Sequence, residues 1–419
     1  MQREVVYVFL FINLLVAIVY YLNKKCEIPL FIALFNIMVE YRILSLEFGY
    51  SHFIQFDYQI DFDFSFEAAY EVSQLILMGS TLMMYTFMFV YKPPVYKLKD
   101  SNRYLADFIE SRKIFIFIGL SVFSLFTIIF SGSISEGYGN LSKLGNSSFI
   151  LLLFLLYHFT KAKAILIKLM YLVIFIFLAR ITYSSEIRFQ FLGWMIPLGY
   201  FIVRNIKPGF KLSLMLVGMF AILIIFSAAR LMRYASTDTK SIEELYEDSY
   251  DRIEEADDVN FIDGFIMMYQ VYPRYLDHTM GMEHLNILLR PIPRNLWPDK
   301  PLAGWFQVYQ AKYGLQQIRI GFSPTIYGVF YAEAGVAGIA ILSIVWAFFL
   351  ARMYRLYSAF QSDLSFLLIG ILLTCLIPIF RSGDMAGDFA IVLLSYWPIM
   401  VLVRQYRKYV EKRLRYEKL

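Results

Sequence analysis

Charged residues and cysteines are both scarce in this chain, and each scarcity argues against a class of protein. Only 17% of its 419 residues are charged, whereas soluble domains carry about 25%. The two cysteines, Cys26 and Cys375, lie at or inside apolar runs, which argues against a disulfide framework, a thiol nucleophile or a cysteine-based metal site. The sequence also offers no P-loop, GxSxG, HExxH or GxGxxG motif that would indicate a nucleotide site or a common hydrolase. The net charge of +5 does not indicate nucleic acid, because its distribution along the chain matters more than its sum.

Apolar and aromatic residues are abundant instead. Hydrophobic residues make up 59% of the chain, with 40 Phe and 32 Tyr, and the mean hydropathy is +0.55. A soluble fold could not bury that much apolar side chain, so most of it must face lipid or other helices. The composition therefore predicts an all-α, polytopic membrane protein.

Apolar runs near the length that spans a bilayer, about 20 residues, recur along the sequence and predict about eleven transmembrane helices. The first is interpreted as a retained helix rather than a cleaved signal peptide, and the ninth is long enough to be broken or strongly tilted. The predicted helices cover residues 4–22, 27–45, 70–91, 113–131, 147–160, 165–183, 189–203, 212–229, 323–351, 364–380 and 388–404.

The distribution of positive charge orients these helices. Alternate connections carry 23 cations, within 24–25, 92–113, 161–168, 204–211, 352–355 and 404–418. The short opposite segments and adjoining helix ends carry six: Arg3, Arg42, Lys143, Arg180, Arg188 and Arg381. The positive-inside rule places the basic C-terminal tail in the cytoplasm and residues 230–321 outside. An odd number of helices then puts the N-terminus outside as well.

Four segments follow from this topology. Residues 1–229 form transmembrane helices one to eight, 230–322 a large extracytoplasmic loop, 323–404 helices nine to eleven, and 405–419 the basic cytoplasmic tail. The loop is long enough to form a small domain on the membrane.

The densest cluster of candidate functional residues lies in that loop, in the stretch RPIPRNLWPDKP at 290–301. Its four prolines fix the backbone in an irregular, stiff conformation. Arg290, Arg294 and Lys300 suit a phosphate ligand, and Trp297 offers a flat face for a sugar. A proline-rich turn whose cations meet lipid phosphates or Asp299 is the alternative interpretation.

Further cations lie where they are costly, beside predicted helix ends. Arg188, Arg230 and Arg381 could converge with the loop cations on one anion, although each alone could be an interfacial cation that reaches water. Glu333, in an otherwise neutral apolar run, is a candidate general base or cation partner. His284 and His278, the loop histidines, could accept a proton from a sugar hydroxyl. The acidic set at 57, 61 and 63 could bind a divalent metal, but its spacing among aromatics is more typical of a solvated strand or loop, and no metal or other cofactor is expected.

The PR-x-x-W-P-D-K-P string at 293–301, followed by G-x-S-x-T-x-x-G at 321–328, resembles the Wzy-type O-antigen and capsule repeat-unit polymerases. The resemblance implies a GT-C-like membrane glycosyltransferase in the bacterial inner membrane, with its active site outside the cytoplasm. Its partners would be undecaprenyl-pyrophosphate-linked oligosaccharides, membrane lipids and a chain-length regulator.

The resemblance also implies roles for the candidate residues. Cations stabilise the leaving pyrophosphate, which assigns that role to Arg290, Arg294, Lys300, Arg188, Arg230 and Arg381. Glu333 or His284 would activate the acceptor hydroxyl, and Trp297, Trp305 and Tyr327 would contact sugar. Two other functions stay open: an O-antigen ligase-like enzyme that transfers glycan to a lipid A core, and a transporter or flippase of lipid-linked glycans.

Overall fold

The described residues form helices connected by turns and short loops. The computed structural model describes residues 3–50, 52–53, 62–94, 101–130, 146–160, 164–182, 188–218, 261–289, 292, 296–299, 304–313, 323–359, 362–383 and 385–416, and these ranges contain no strand. The helices are α1 (Arg3–Lys24), α2 (Ile28–Glu47), α3 (Phe66–Val90), α4 (Ser101–Phe130), α5 (Asn146–Phe159), α6 (Ile165–Thr182), α7 (Arg188–Ile202), α8 (Pro208–Gly218), α9 (Phe261–Val271), α10 (Met282–Leu289), α11 (Trp305–Tyr313), α12 (Thr325–Ser358), α13 (Asp363–Ser382) and α14 (Met385–Tyr416).

Each predicted transmembrane helix overlaps a helix of the structure. The helices α4, α12 and α14 extend beyond the apolar runs into polar sequence, because Lys, Arg and Glu are good helix formers and continue a helix that is already started. Among the described residues, six helices are long and apolar enough to cross a membrane: α1, α2, α3, α12, α13 and the Met385–Arg413 part of α14. The all-α class is therefore confirmed and a polytopic membrane protein is supported, while the eleven crossings and the GT-C-like arrangement stay predictions.

The chain divides into two compact units. Unit 1 contains Met1–Pro93, Ile206–Arg355 and Leu376–Ala390, and unit 2 contains Pro94–Asn205, Leu356–Cys375 and Ile391–Leu419. Within unit 1, α2 packs against α1 and α3, and α3 packs against α9. Within unit 2, α5 packs against α4, α6 and α7. The four segments predicted from the sequence divide the chain by the side of the membrane on which each part lies. That division stays a prediction.

Aromatic side chains fill the core of unit 1 around Phe35 of α2. Its ring stacks on Phe261 at 5.3 Å between centroids and meets Phe380 edge-on at 5.4 Å. Gly79 lets α3 approach this core closely, because a methyl group there would lie 2.7 Å from side-chain atoms of both Tyr327 and Ile339. Contact at this distance requires a residue without a side chain.

Polar side chains connect helix ends in unit 1. Lys211 Nζ donates to Glu27 Oε1 at 3.3 Å, and the Tyr354 hydroxyl donates to Glu27 Oε2. The three residues belong to sequence-distant segments that the charge pattern places on one side, the cytoplasmic side. Their contact agrees with that grouping.

A buried ion pair lies in a different part of unit 1. Arg42 Nη2 is 3.1 Å from Asp263 Oδ2 and donates to the His52 carbonyl at 2.9 Å, and both charged side chains are buried. The sequence predicts all three residues on the outer side. This pair fastens α9 to α2, which is long and apolar enough to cross a membrane.

Unit 2 has a polar cluster of its own at the start of α13. Asp363 accepts from Arg204 Nε at 3.0 Å, lies 3.1 Å from His158 Nε2 and donates its backbone N–H to Asn102 Oδ1 at 2.8 Å. The charge pattern predicts all of these chain segments on the cytoplasmic side. The cluster brings them together, as that prediction requires.

Candidate functional site

The candidate site lies in unit 1, where helix α12 is broken. Ala334 and Gly335 have non-helical backbone angles, and Gly335 has φ of 62° and ψ of −145°. That combination is open essentially to glycine alone. The break separates a short first half, Thr325 to Glu333, from a longer second half that starts at Val336.

The two halves of α12 fold back on each other. Phe330 and Trp346 are sixteen residues apart, yet their ring centroids lie 6.3 Å apart. In a straight helix their Cα atoms would be separated by about 24 Å. Every residue from Pro324 to Glu333 is buried, so the first half is a short helix enclosed by protein.

The loop before α10 covers the end of this buried half-helix. The backbone N–H of Thr279 donates to the Ala332 carbonyl at 2.9 Å, and that of Met280 donates to the Glu333 carbonyl at 3.0 Å. His278 Nδ1 also lies 3.2 Å from the Ala332 carbonyl. Carbonyl groups at a helix end need such partners when water is excluded.

The Glu333 carboxylate is held on both of its oxygens by the same loop. Oε1 accepts from the backbone N–H of His284 at 3.2 Å and lies 2.8 Å from His284 Nδ1. Oε2 accepts from the Thr279 hydroxyl at 3.2 Å and from the backbone N–H of Gly281. A carboxylate offers about four acceptor positions, and all are occupied here. Glu333 therefore acts as an anchor in this arrangement rather than as a free base.

His284 connects Glu333 to the second half of α12. Trp346 donates its indole Nε1–H to His284 Nε2 at 3.2 Å. An indole N–H is a donor only, so Nε2 presents its lone pair and Nδ1 carries the proton that goes to Glu333. The His284 side chain is 27% exposed and that of Glu333 only 3%. The imidazole ring is therefore oriented by an indole N–H on one side and by a buried carboxylate on the other.

Aromatic rings surround the pair. Phe330 stacks against His284 with centroids 6.0 Å apart, and Tyr272 stacks against His278, also at 6.0 Å. Burial, followed by the nearby carboxylates of Glu283 and Glu333, raises the pKa of Tyr272. Its hydroxyl therefore stays protonated, so Tyr272 contributes no negative charge beside the site.

The predicted cationic residues are mostly outside the described part of the chain. Arg290, Arg294, Lys300 and Arg230 lie there, and for Arg188 only the helical backbone at the start of α7 is described. Arg381 is exposed in the last turn of α13. Their convergence on one anion stays a prediction.

The three predicted sugar-binding aromatics have different environments. Trp297 is partly exposed, whereas Trp305 is 4% exposed and meets Phe306 edge-on. Tyr327 is fully buried among Phe35, Phe330 and Phe380. Its ring is part of the protein core in this structure, which gives its predicted sugar contact no support.

Several residues of the site were not singled out from the sequence. Thr279 and Trp346 bond to Glu333 and His284, and Gly281 contributes only its backbone N–H. The string HTMGMEH at 278–284 could have indicated a functional segment, because it places two histidines on either side of a glycine. Nothing in it indicates a partner about fifty residues later.

No family model, no curated protein and no solved structure matches this chain.

Proposed function

We propose that this protein is a membrane glycosyltransferase that polymerises undecaprenyl-pyrophosphate-linked repeat units, with His284 as the general base. The observation that carries the proposal is the oriented imidazole: Nδ1–H points at a saturated, buried carboxylate, and the lone pair of Nε2 is presented on the opposite side of the ring. A base within hydrogen-bond reach of a hydroxyl, oriented by a third group, is the arrangement that such transfer needs.

In the proposed reaction the acceptor sugar hydroxyl displaces the Trp346 N–H from His284 Nε2 and gives up its proton there. The hydroxyl oxygen forms a bond to the anomeric carbon of the donor, and the bond from that carbon to the pyrophosphate oxygen breaks. Glu333 stabilises the resulting imidazolium. The predicted cations, Arg294 first among them, would stabilise the charge on the leaving lipid pyrophosphate.

The test is in vitro transfer by purified protein with lipid-linked repeat units, read as a ladder on a glycan gel. Loss of a general base reduces transfer by roughly 100- to 10,000-fold, so His284→Gln should lose the ladder. His278→Gln is the matched control, because His278 lies in the same loop but contacts a helix carbonyl. Equal ladders from wild type and His284→Gln would overturn the role of His284. A wild-type ladder from Arg294→Ala would remove the pyrophosphate role of Arg294.

A lipid-linked glycan transporter is the second candidate, and the broken helix α12 is what favours it. Discontinuous helices with buried ends are typical of transporter substrate sites. Release of undecaprenyl pyrophosphate separates the two functions, because a transporter redistributes its substrate without cleaving it. A ligase would also release undecaprenyl pyrophosphate. It would not lengthen the lipid-linked glycan but would transfer it to a lipid A core.

A further inference from the structure

Helix α10, which supplies His284, has its apolar and polar faces reversed compared with a helix on the surface of a soluble protein. Glu283 and Asn286 are buried, whereas Met282, Leu285 and Leu288 are exposed. Leu288 is 73% exposed. A surface helix in water turns its polar face outward, so this helix is built for an apolar surrounding.

The contact with Trp346 fixes the depth of α10 relative to the membrane-crossing half of α12. Trp346 lies about 15 Å along the helix axis from Val336 and about 18 Å from Ser358, at 1.5 Å per residue. A hydrocarbon core is about 30 Å thick. His284 therefore lies beside the middle of a helix that is long and apolar enough to span it.

Other exposed side chains close to α10 are apolar as well. Val345 and Phe348 of α12, on either side of Trp346 in sequence, are each more than half exposed and apolar. Met280, just before α10, is 77% exposed. No charged side chain lies among the exposed positions of α10.

From these observations we infer that α10 is embedded in the bilayer and that the face formed by Met282, Leu285 and Leu288 contacts the acyl chains of the surrounding phospholipids. The large loop is then not wholly a domain in water, since part of it dips beside α12. His284 of α10 holds Glu333, and the apolar face meets lipid. This placement is independent of the proposed reaction, and it would let a lipid-linked molecule approach His284 from within the membrane.

Spin-label accessibility in phospholipid vesicles tests the inference without any glycan substrate. A nitroxide is attached to Leu288→Cys, and its relaxation is measured with two reagents. Oxygen concentrates in hydrocarbon, whereas the second reagent, a nickel chelate, is soluble in water. Val345→Cys is the hydrocarbon control beside Trp346, and Asp277→Cys, an exposed charged position before α10, is the aqueous control. Both native cysteines are buried, so the unsubstituted chain serves as the blank.

We expect the oxygen-to-nickel ratio at Leu288 to match that at Val345 and to exceed that at Asp277. A ratio like that of Asp277 would place the helix in water and overturn the inference. Low accessibility to both reagents would mean that protein covers the face, including a second copy of the chain, and would overturn it as well. Leu285→Cys repeats the measurement if Leu288→Cys fails to fold. Because the readout needs no turnover, failure here leaves the proposed glycosyl transfer untouched.

Discussion

Trp346 and His284 are joined by a hydrogen bond of 3.2 Å in which the indole N–H occupies the imidazole nitrogen that a substrate hydroxyl would need. In the proposed reaction the bond therefore competes with the acceptor hydroxyl, and it also orients the ring. It orients the imidazole, with Nε2 as the acceptor, while no substrate hydroxyl is present.

Removing the indole N–H of Trp346 should strengthen the binding of the acceptor sugar. Trp346→Phe keeps an aromatic ring against Phe330 but has no N–H to donate. A typical hydrogen bond contributes about 0.5–1.5 kcal/mol net, which corresponds to a KM for the acceptor about 2- to 10-fold lower. Steady-state kinetics on acceptor concentration would measure it. A kcat as low as that of His284→Gln with unchanged KM would instead give Trp346 a role in the reacting step.

Glu333→Gln should impair both transfer and stability. The carboxamide cannot accept all four of the hydrogen bonds that reach the carboxylate, so at least one donor among Thr279, Gly281 and His284 loses its acceptor. Each buried group left in this way costs about 1–3 kcal/mol. Thermal unfolding in detergent reports that loss.

A purely structural role for Glu333 predicts a lower unfolding temperature with an unchanged pH profile of transfer in the folded fraction. A positioning role predicts a changed profile, because the imidazolium loses its counter-charge. Glu333→Asp provides the rescue comparison, since it restores the charge on a shorter side chain. Wild-type stability and transfer in Glu333→Gln would contradict both roles.

Gly335→Ala should destabilise the protein, because its φ of 62° and ψ of −145° lie where other residues are strained. Backbone strain of this kind costs about 1–3 kcal/mol. A steric clash is not the cause of the destabilisation, since an added Cβ would lie 3.4 Å from the nearest atom of His278. Gly199→Ala is the control: it lies inside α7 with nothing within 4 Å of the new methyl group, and it should be neutral or stabilising by about 1 kcal/mol. Equal melting temperatures for the two variants would contradict the strain at Gly335.

Removing one charged partner of the buried Arg42–Asp263 pair should strongly destabilise the protein. Asp263→Asn removes the carboxylate from a guanidinium that is almost fully enclosed, and such changes cost about 3–5 kcal/mol. The double variant Arg42→Met, Asp263→Leu should recover much of that loss, because it leaves no charge buried. The exposed pair Arg407–Glu411 is the control, and Glu411→Gln should change stability by less than about 1 kcal/mol. A mild effect of Asp263→Asn would mean that water reaches Arg42.

The long apolar helices were predictable from the sequence because a bilayer requires apolar runs of nearly fixed length, whereas the shorter helices α9, α10 and α11 were not predicted. The grouping of Glu27 with Lys211, and of His158 with Asp363, agrees with the sides assigned from charge. The partnership of His284 with Glu333 could not be predicted, since it depends on how the loop folds over the break in α12. Only the length of the ninth apolar run hinted at that break, and no periodicity shows where the halves turn back.

The Arg42–Asp263 pair also imposes an order on biosynthesis. The two residues are 221 positions apart, so at roughly 5–20 residues per second Asp263 leaves the ribosome about 10–45 s after Arg42. During that interval the guanidinium, near the end of α2, lacks its carboxylate partner. Helix α2 can settle fully into its final position only after α9 arrives. A nascent chain halted before Asp263 should therefore hold Arg42 at the membrane surface, open to the quality-control proteases that remove unassembled helices.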